Sequence, residues 1–456
     1  MTTHWRDILR SEVEGRRFLI ALDILVGATG IAEFLDQLGA GGLFAIGARH
    51  GTGTVPPPEL CQAIDLALPT AADMMSGIRS GEAALHALPP DVQQAVDTWD
   101  PEHTARVVAT IFSDGADIAG RRQLGGRLPE WLALEDKTVI DAVWDDAGVE
   151  RAPVRILPAD GFRRALDEVR GPLGAVVSGD NREGFNGGGS YVRWIRDEAD
   201  LPEAEAFFAA HCHTVRVMPF LDGLPCSIHG IVFPECTVGF RPVEMLVLRR
   251  PGHNRVQYAG AASFWNAPEA DALAMRAMVE RVGEHLRDRV GFRGAFTVDG
   301  VLTADGFLPT ELNPRLGAAL PRLFHAIDTR IDVFNRFVVE GAPLDWRPRE
   351  LQAEVLRTTE TTRSGHGMVM SDRRVADDEE WVRFTGAGCE ICPEADADGR
   401  IRVGPGPTGS IVFLSPRPEK TPIGPSLAPR IAAMAACADS LWDLGIGVLH
   451  PAPELR

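Results

Sequence analysis

Residues 18–26 form a nearly continuous apolar run, and 43–46 and 107–112 are shorter ones, as in strands buried on both faces of a parallel sheet. Residues 31–38, between the first two, carry apolar positions at helical spacing, so the chain opens as α/β. Gly27-Ala28-Thr29-Gly30 follows the first strand with the spacing of a dinucleotide-binding turn, but the third glycine position is Glu33, whose carboxylate opposes a pyrophosphate. Proline clusters at 56–58 and 89–90 punctuate this segment.

A second unit begins near residue 129. The pattern predicts a helix over 134–147 that stops at Gly148, a strand over 154–157, a helix over 162–169 and a strand over 174–177. A glycine-rich stretch follows, Gly184-Phe185-Asn186-Gly187-Gly188-Gly189-Ser190, and leads into a strand over 191–195. Further strands are expected over 214–220, 227–233 and 243–248. Met275, Val279, Val282, Leu286 and Val290 recur every three or four residues, which makes that stretch an amphipathic helix. Residues 293–299 and 307–313 read as strands, and a helical stretch then runs to about 339. The last hundred or so mix short strands, a Gly/Pro-rich loop over 404–409 and a final helix over 431–441. The expected division is an N-terminal α/β domain over 1–128, a core with a glycine-rich lid over 129–345, and a C-terminal region over 346–456 that completes or covers the core.

Composition narrows the class. The 456 residues are 45% hydrophobic and 24% charged, ordinary values for a folded protein, and no apolar run is long enough to span a membrane. The N-terminus lacks the order of a signal peptide, so a cytoplasmic protein is expected. A net charge of −18 repels phosphate backbones and excludes nucleic acid as the default partner. Cys389-x-x-Cys392 has no second ligand pair at similar spacing and His211-Cys212-His213 lies elsewhere, so all seven cysteines read as plain thiols. Of 46 basic residues only Lys137 and Lys420 are lysine, so a lysine retained in this background is a candidate for a role that needs a compact ammonium.

The most informative stretch runs from 294 to 315. Ala304-Asp305-Gly306 fits a three-residue hairpin loop, which pairs Thr303 with Phe307 and sets Asp299 opposite Glu311, with Asn313 two residues further along the same face. Two carboxylates across one rung repel unless a proton or cation lies between them, and an amide oxygen beside them completes an all-oxygen set suited to Mg²⁺. A two-residue turn shifts the register by one and breaks this pairing, and a solvated surface hairpin is the plain alternative. The glycine stretch reads either as a flap whose backbone N–H groups meet an anion or as a flexible linker. It lacks the order of a Walker loop.

Taken together, Asp136-Lys137 and Ala147-Gly148-Val149 at the two ends of a helix, the glycine-rich hairpin, the run Val217-Met218-Pro219-Phe220-Leu221-Asp222-Gly223 and the ending Glu311-Leu312-Asn313-Pro314-Arg315 resemble the ATP-grasp enzymes over roughly residues 130–340. That resemblance implies an ATP- and Mg²⁺-dependent carboxylate–amine ligase that works through an acyl phosphate and releases ADP and phosphate. It implies Asp299, Glu311 and Asn313 as magnesium ligands and Arg315 as the catalytic cation. It further implies Lys137 and the flap glycines Gly187, Gly188 and Gly189 as phosphate contacts, Met218 to Phe220 as the adenine hinge, and Asp222 at the ribose. Ser178 stands where the family commonly has a second lysine, so Arg182, Arg193 or Arg216 would have to supply that charge. Glu244 and Arg293 are the candidate substrate contacts, Glu244 for a cationic group that the acidic balance favours.

In length and layout the chain is similar to the pheganomycin-type peptide ligases, which join a guanidino-bearing amino acid to the amino terminus of a peptide. The expectation is therefore an amide-forming enzyme of specialised metabolism, such as antibiotic biosynthesis, acting on small molecules or peptides. Its assembly is left between monomer and homodimer. The alternatives are a nicotinamide-dependent oxidoreductase using the Gly27–Gly30 turn and a non-catalytic nucleotide-binding protein.

Overall fold

The computed structural model describes residues 4–386 and 388–451. At the N-terminus, β1 (Arg17–Ile24), β2 (Gly42–Arg49), β3 (Gln62–Asp65) and β4 (Arg106–Ala109) form a parallel sheet in the order β3-β2-β1-β4. Both faces are covered, which explains the unbroken apolar runs. Phe18 and Ile20 pack on Ile31 and Leu35 of α1 (Ala28–Gln37), while Leu19 and Ala21 pack with Leu85 of α2 (Met74–His86). Gly27 and Gly30 belong to the entry and first turn of α1, where a Cβ on Gly30 would lie 2.4 Å from the Arg330 guanidinium. Gly30 thus sits directly under the Arg330 side chain.

The expected helix over 134–147 is shorter. A single 3₁₀ turn (Ala133–Glu135) is followed by a turn and then by α3 (Ile140–Asp146). The Asp136 carboxylate accepts from both Thr138 N and Thr138 Oγ1, closing a side-chain turn that competes with helix. Lys137 therefore stands on the loop that enters α3, not on a helix. Four antiparallel strands follow, β5 (Arg155–Pro158), β6 (Ala175–Gly179), β7 (Val192–Ile195) and β8 (Thr214–Pro219), in the order β5-β8-β6-β7. One face, with Ala175, Val177, Val215 and Val217, is buried under α4 (Arg163–Val169) and α5 (Leu201–His211). Period-two alternation puts Val176, Ser178, Arg216 and Met218 on the other face.

The third sheet has twelve strands, β9 (Leu224–Val232) to β20 (His450–Pro451). Its backbone is the order β14-β13-β9-β11-β12-β15-β19-β18-β16-β17, with β10 (Thr237–Gly239) paired to β9 and β20 to β11. Its remaining strands include β11 (Val243–Arg249), β12 (Val256–Ala262), β13 (Gly294–Thr303), β14 (Gly306–Asn313), β15 (Gly365–Ser371), β16 (Asp378–Thr385), β17 (Gly388–Ile391), β18 (Gly399–Pro405) and β19 (Ser410–Pro416). Strand β15 pairs with β12, so the C-terminal strands extend the same sheet. The predicted amphipathic helix is α6 (Glu269–Val290), whose Met275, Val279, Val282 and Leu286 pack on Ile228, Phe296 and Val298. Ala295 packs with Phe334 and Val338 of α7 (Ile331–Glu340), and α8 (Ala428–Trp442) covers Leu246, Leu248, Val412 and Leu414. No helix among the described residues is long and apolar enough to cross a membrane.

The β13–β14 hairpin differs from expectation in an informative way. Its turn is two residues long, pairing Thr303 with Gly306 and Leu302 with Phe307, so the three-residue loop is overturned. A register shift between Asp299 and Gly300 then inserts Thr310 as an extra residue, and Asp299 faces Glu311 after all. Thr310 Oγ1 donates to Asp299 O at 3.2 Å. At Gly300 the partner strand comes so close that a Cβ would lie 2.3 Å from Leu308 O. Gly300→Ala should therefore lower stability by about 1–3 kcal/mol, read as a reduced urea midpoint. An unchanged midpoint would show that the strand can move aside.

Candidate active site

The bulge creates two rows of polar side chains across three neighbouring strands. Ser227, Asp299 and Glu311 make one row, and His229, Thr297 and Asn313 the next. All six line one cavity of about 1230 Å³. Ser227 Oγ donates to one Asp299 oxygen, and Asn313 Nδ2 donates to the other at 2.9 Å. Lys137 Nζ lies 2.9 Å from Glu311 Oε2. The expected cluster of Lys137, Asp299, Glu311, Asn313 and Arg315 is thus assembled in space.

Arg315 is held from three sides. Its Nε donates to Glu135 Oε1 at 3.0 Å, its Nη2 donates to Asn313 Oδ1 at 2.8 Å, and its guanidinium lies 5.1 and 5.3 Å from the Phe112 and Phe185 ring centroids. Glu135 also accepts from Arg127 Nη1 at 2.6 Å. This buried carboxylate between two arginines is a site residue that the sequence reading missed. Its only signal was its place two residues before Lys137.

Burial, with the Glu311 charge adding to it, pushes the Asp299 carboxyl up to about 7. Two acids in such a wall repel unless a proton or a cation lies between them. The donors present, two carboxylates and an amide oxygen, are the hard oxygen set that suits Mg²⁺. Lys137 offsets part of that charge at Glu311, and the oxygen donor set itself fits a divalent cation on chemical grounds.

Gly187, Gly188 and Gly189 line the same cavity. The flap is fastened to α2, because Arg79 donates to Phe185 O at 2.9 and 3.1 Å and Gly187 N donates to Met75 Sδ. Ser178, Met218, Phe220 and Asp222 lie off this cavity, on or just beyond the four-stranded lid sheet. Met218 is buried, and Phe220 stacks on Trp194 at 4.3 Å. Of the three arginines considered in place of a second lysine, Arg216 pairs directly across from Ser178. It is locked bidentately to Asp141 of α3 at 2.7 and 2.8 Å. Arg193 faces the opposite side, on Glu203 and the Phe207 ring, and Arg182 is exposed.

The two expected substrate contacts both lie away from this cavity, and for Glu244 the expectation is corrected. Glu244 is 1% exposed and accepts from Ser426 Oγ and from the backbone N–H groups of Leu427 and Ala428, so it caps α8. Alternation puts it on the α8 side of β11, away from the cavity. Arg293 is exposed against Gly341 at the end of α7 and also lies outside that cavity. The cysteines are free thiols, and the one His/Cys/Asp/Glu group among the described residues with metal-ligand proximity is Glu82, His86 and Asp114.

No family model and no curated protein sequence matches the chain. Solved structures do. The ADP complex of an N5-carboxyaminoimidazole ribonucleotide synthetase is similar with a TM-score of 0.53 at 14% identity, over 94% of this chain and 98% of that one. The biotin carboxylase domain of Hydrogenobacter thermophilus 2-oxoglutarate carboxylase, in complex with MgADP, ADP and bicarbonate, gives 0.51 at 14% identity over 88% and 86%. An L-amino acid ligase from Bacillus licheniformis gives 0.50 at 13% identity over 88% and 93%. At such identities these likenesses show the fold, and the fold is the ATP-grasp fold read from the sequence.

His229 supplies a test of the site's electrostatics. Burial pushes its imidazole down to about 3, whereas the unfolded chain titrates near 6.5. The unfolded state therefore takes up the proton first, so this contribution is complete above about pH 6.5 and is lost as pH falls toward 3. The loss of urea midpoint between pH 7 and pH 4.5 should be smaller in His229→Gln than in the wild type. Equal losses would mean that His229 is not held neutral.

Proposed function

We propose that this chain is an ATP- and Mg²⁺-dependent ligase that joins a carboxylate to an amine, releasing ADP and phosphate. The carrying observation is the facing pair Asp299 and Glu311, with Asn313 beside them, in a cavity that also holds Arg315 and the glycine flap. Neighbours of the same fold bound to ADP or MgADP support the nucleotide. The finer reading is peptide-bond formation with an amino acid or peptide in specialised metabolism, and the fold of an L-amino acid ligase is consistent with it. The division into 1–128, 129–345 and 346–456 belongs to the same proposal.

A carboxylate resists attack because its charge repels the lone pair of the amine and oxide is a poor leaving group. Transfer of the γ-phosphoryl group of ATP to one carboxylate oxygen yields ADP and an acyl phosphate. The amine then forms the C–N bond as phosphate leaves, and a proton is released. Asp299, Glu311 and Asn313 would hold Mg²⁺, which when bound neutralises charge on the nucleotide phosphates. Arg315 is the fixed cation for the carboxylate and for the oxyanion that develops from it. Because Glu135 and Asn313 already orient it, little reorganisation is needed during the reaction. Lys137 supplies a compact charge toward the phosphates.

Two experiments test this. With ¹⁸O in the substrate carboxylate, one labelled oxygen should appear in the released phosphate, with ADP as the nucleotide product. AMP and pyrophosphate would sink the proposal. Glu311→Gln should lower Mg²⁺-dependent ADP release by about 10²–10³-fold with the circular dichroism spectrum unchanged. Normal turnover in that variant would remove Glu311 from the metal set.

A further inference from the structure

The proposed chemistry occupies only one end of the cavity. Beyond the polar rows, Met245 and Val247 of β11, Met368 and Met370 of β15, and Ile411 and Phe413 of β19 line the wall. They alternate with Leu246, Val369, Val412 and Leu414, which are buried in the core under α8. The lining set is therefore one face of the sheet, turned toward the cavity. Register sets Met368 against Phe413 and Met370 against Ile411, so β15 and β19 share one patch, and Tyr258 of the intervening β12, paired with Val247, lines the cavity between that patch and β11. From the opposite side Ile24 of β1 and Met74, Met75 and Ile78 of α2 face the same space. About 1230 Å³ is far more room than a carboxylate and a phosphoryl group require.

A buried polar atom lies in the same wall. His229 is 1% exposed, its Nδ1 is engaged with Thr297 Oγ1 at 2.7 Å, and its Nε2 has no hydrogen-bond partner among the described residues. A buried polar atom in a cavity wall is costly unless something meets it.

Resting on the ligase reading, we infer that the acid substrate carries a bulky apolar substituent that lies along the β11–β12–β15–β19 wall, with its carboxylate at Arg315. The direction follows from Arg315, because the Phe112 and Phe185 rings beside the guanidinium also line the cavity. A carboxylate on that cation has its substituent flanked by apolar surface from the first carbon onward. Five methionines in the lining (Met74, Met75, Met245, Met368 and Met370) adapt to shape, so the wall takes a class of apolar groups rather than one.

Calorimetric titration of the full chain with n-alkyl carboxylates from butanoate to decanoate, without nucleotide, tests the wall directly. Affinity should rise roughly fourfold per methylene, with a negative heat-capacity change. Phe413→Ala and Met370→Ala should weaken decanoate several-fold and leave butanoate unchanged. A flat dependence on chain length, or an unaltered slope in Phe413→Arg, would overturn the subsite. ADP release separates the two readings. Long acids that bind without supporting ADP release with any amine would sink the ligase and leave the subsite standing. ADP release with short polar acids alone would do the reverse.

Discussion

The site depends on one inserted residue. Strand side chains alternate with a period of two, so a hairpin in the register of its own two-residue turn would set Asp299 opposite Thr310 instead of Glu311. The Thr310 bulge restores the pairing at the one place where it matters and leaves the turn-proximal half in its own register. Gly300 permits this because the Leu308 carbonyl occupies the space a side chain would need. With the bulge in place, Asp299 and Glu311 share a rung, Asn313 and Thr297 share the next, and β9 adds Ser227 and His229. Lys137 on Glu311, and Ser227 and Asn313 on Asp299, are the groups that meet that mutual repulsion directly.

The arginines show how the repulsion is managed. Guanidinium forks are used where a carboxylate must be held rigidly: Arg216 on Asp141, and Arg127 and Arg315 on Glu135. Arg315 is thereby prevented from collapsing onto Asp299 and stays oriented between Glu135 and Asn313. Lys137 stands where a single compact charge reaches Glu311 from a loop. In a chain with two lysines among 46 basic residues, that choice fits a group that must release one anion to meet another.

Much of this was legible in the sequence, unevenly. The buried parallel strands, α6 and the facing acids were readable because apolar periodicity and hairpin register are local properties. The register was reached through a wrong turn: the three-residue loop and the missed bulge each moved the count by one residue, in opposite directions. Glu244 was misread because helix α8, which it caps, lies more than 180 residues further along. Glu135 was invisible for the same reason, since its importance comes from Arg315 at a separation of 180 residues. Strand β12 escaped because Gly260 and its alanines break any apolar period.

The C-terminal region also changes meaning once its strands are placed. Read along the chain, it is an appendage of short strands and a helix. In the sheet, β15 pairs with β12 and β19 with β15, so strands more than a hundred residues apart form one surface with β11. One side of that surface is buried under α8, whose N-terminus Glu244 fixes. The other side is the apolar wall of the cavity. Glu244, expected as a substrate contact, is thus a structural tie. It anchors α8 against β11, and so supports the sheet whose far face lines the cavity. The cavity wall and the C-terminal packing are therefore opposite faces of the same strands.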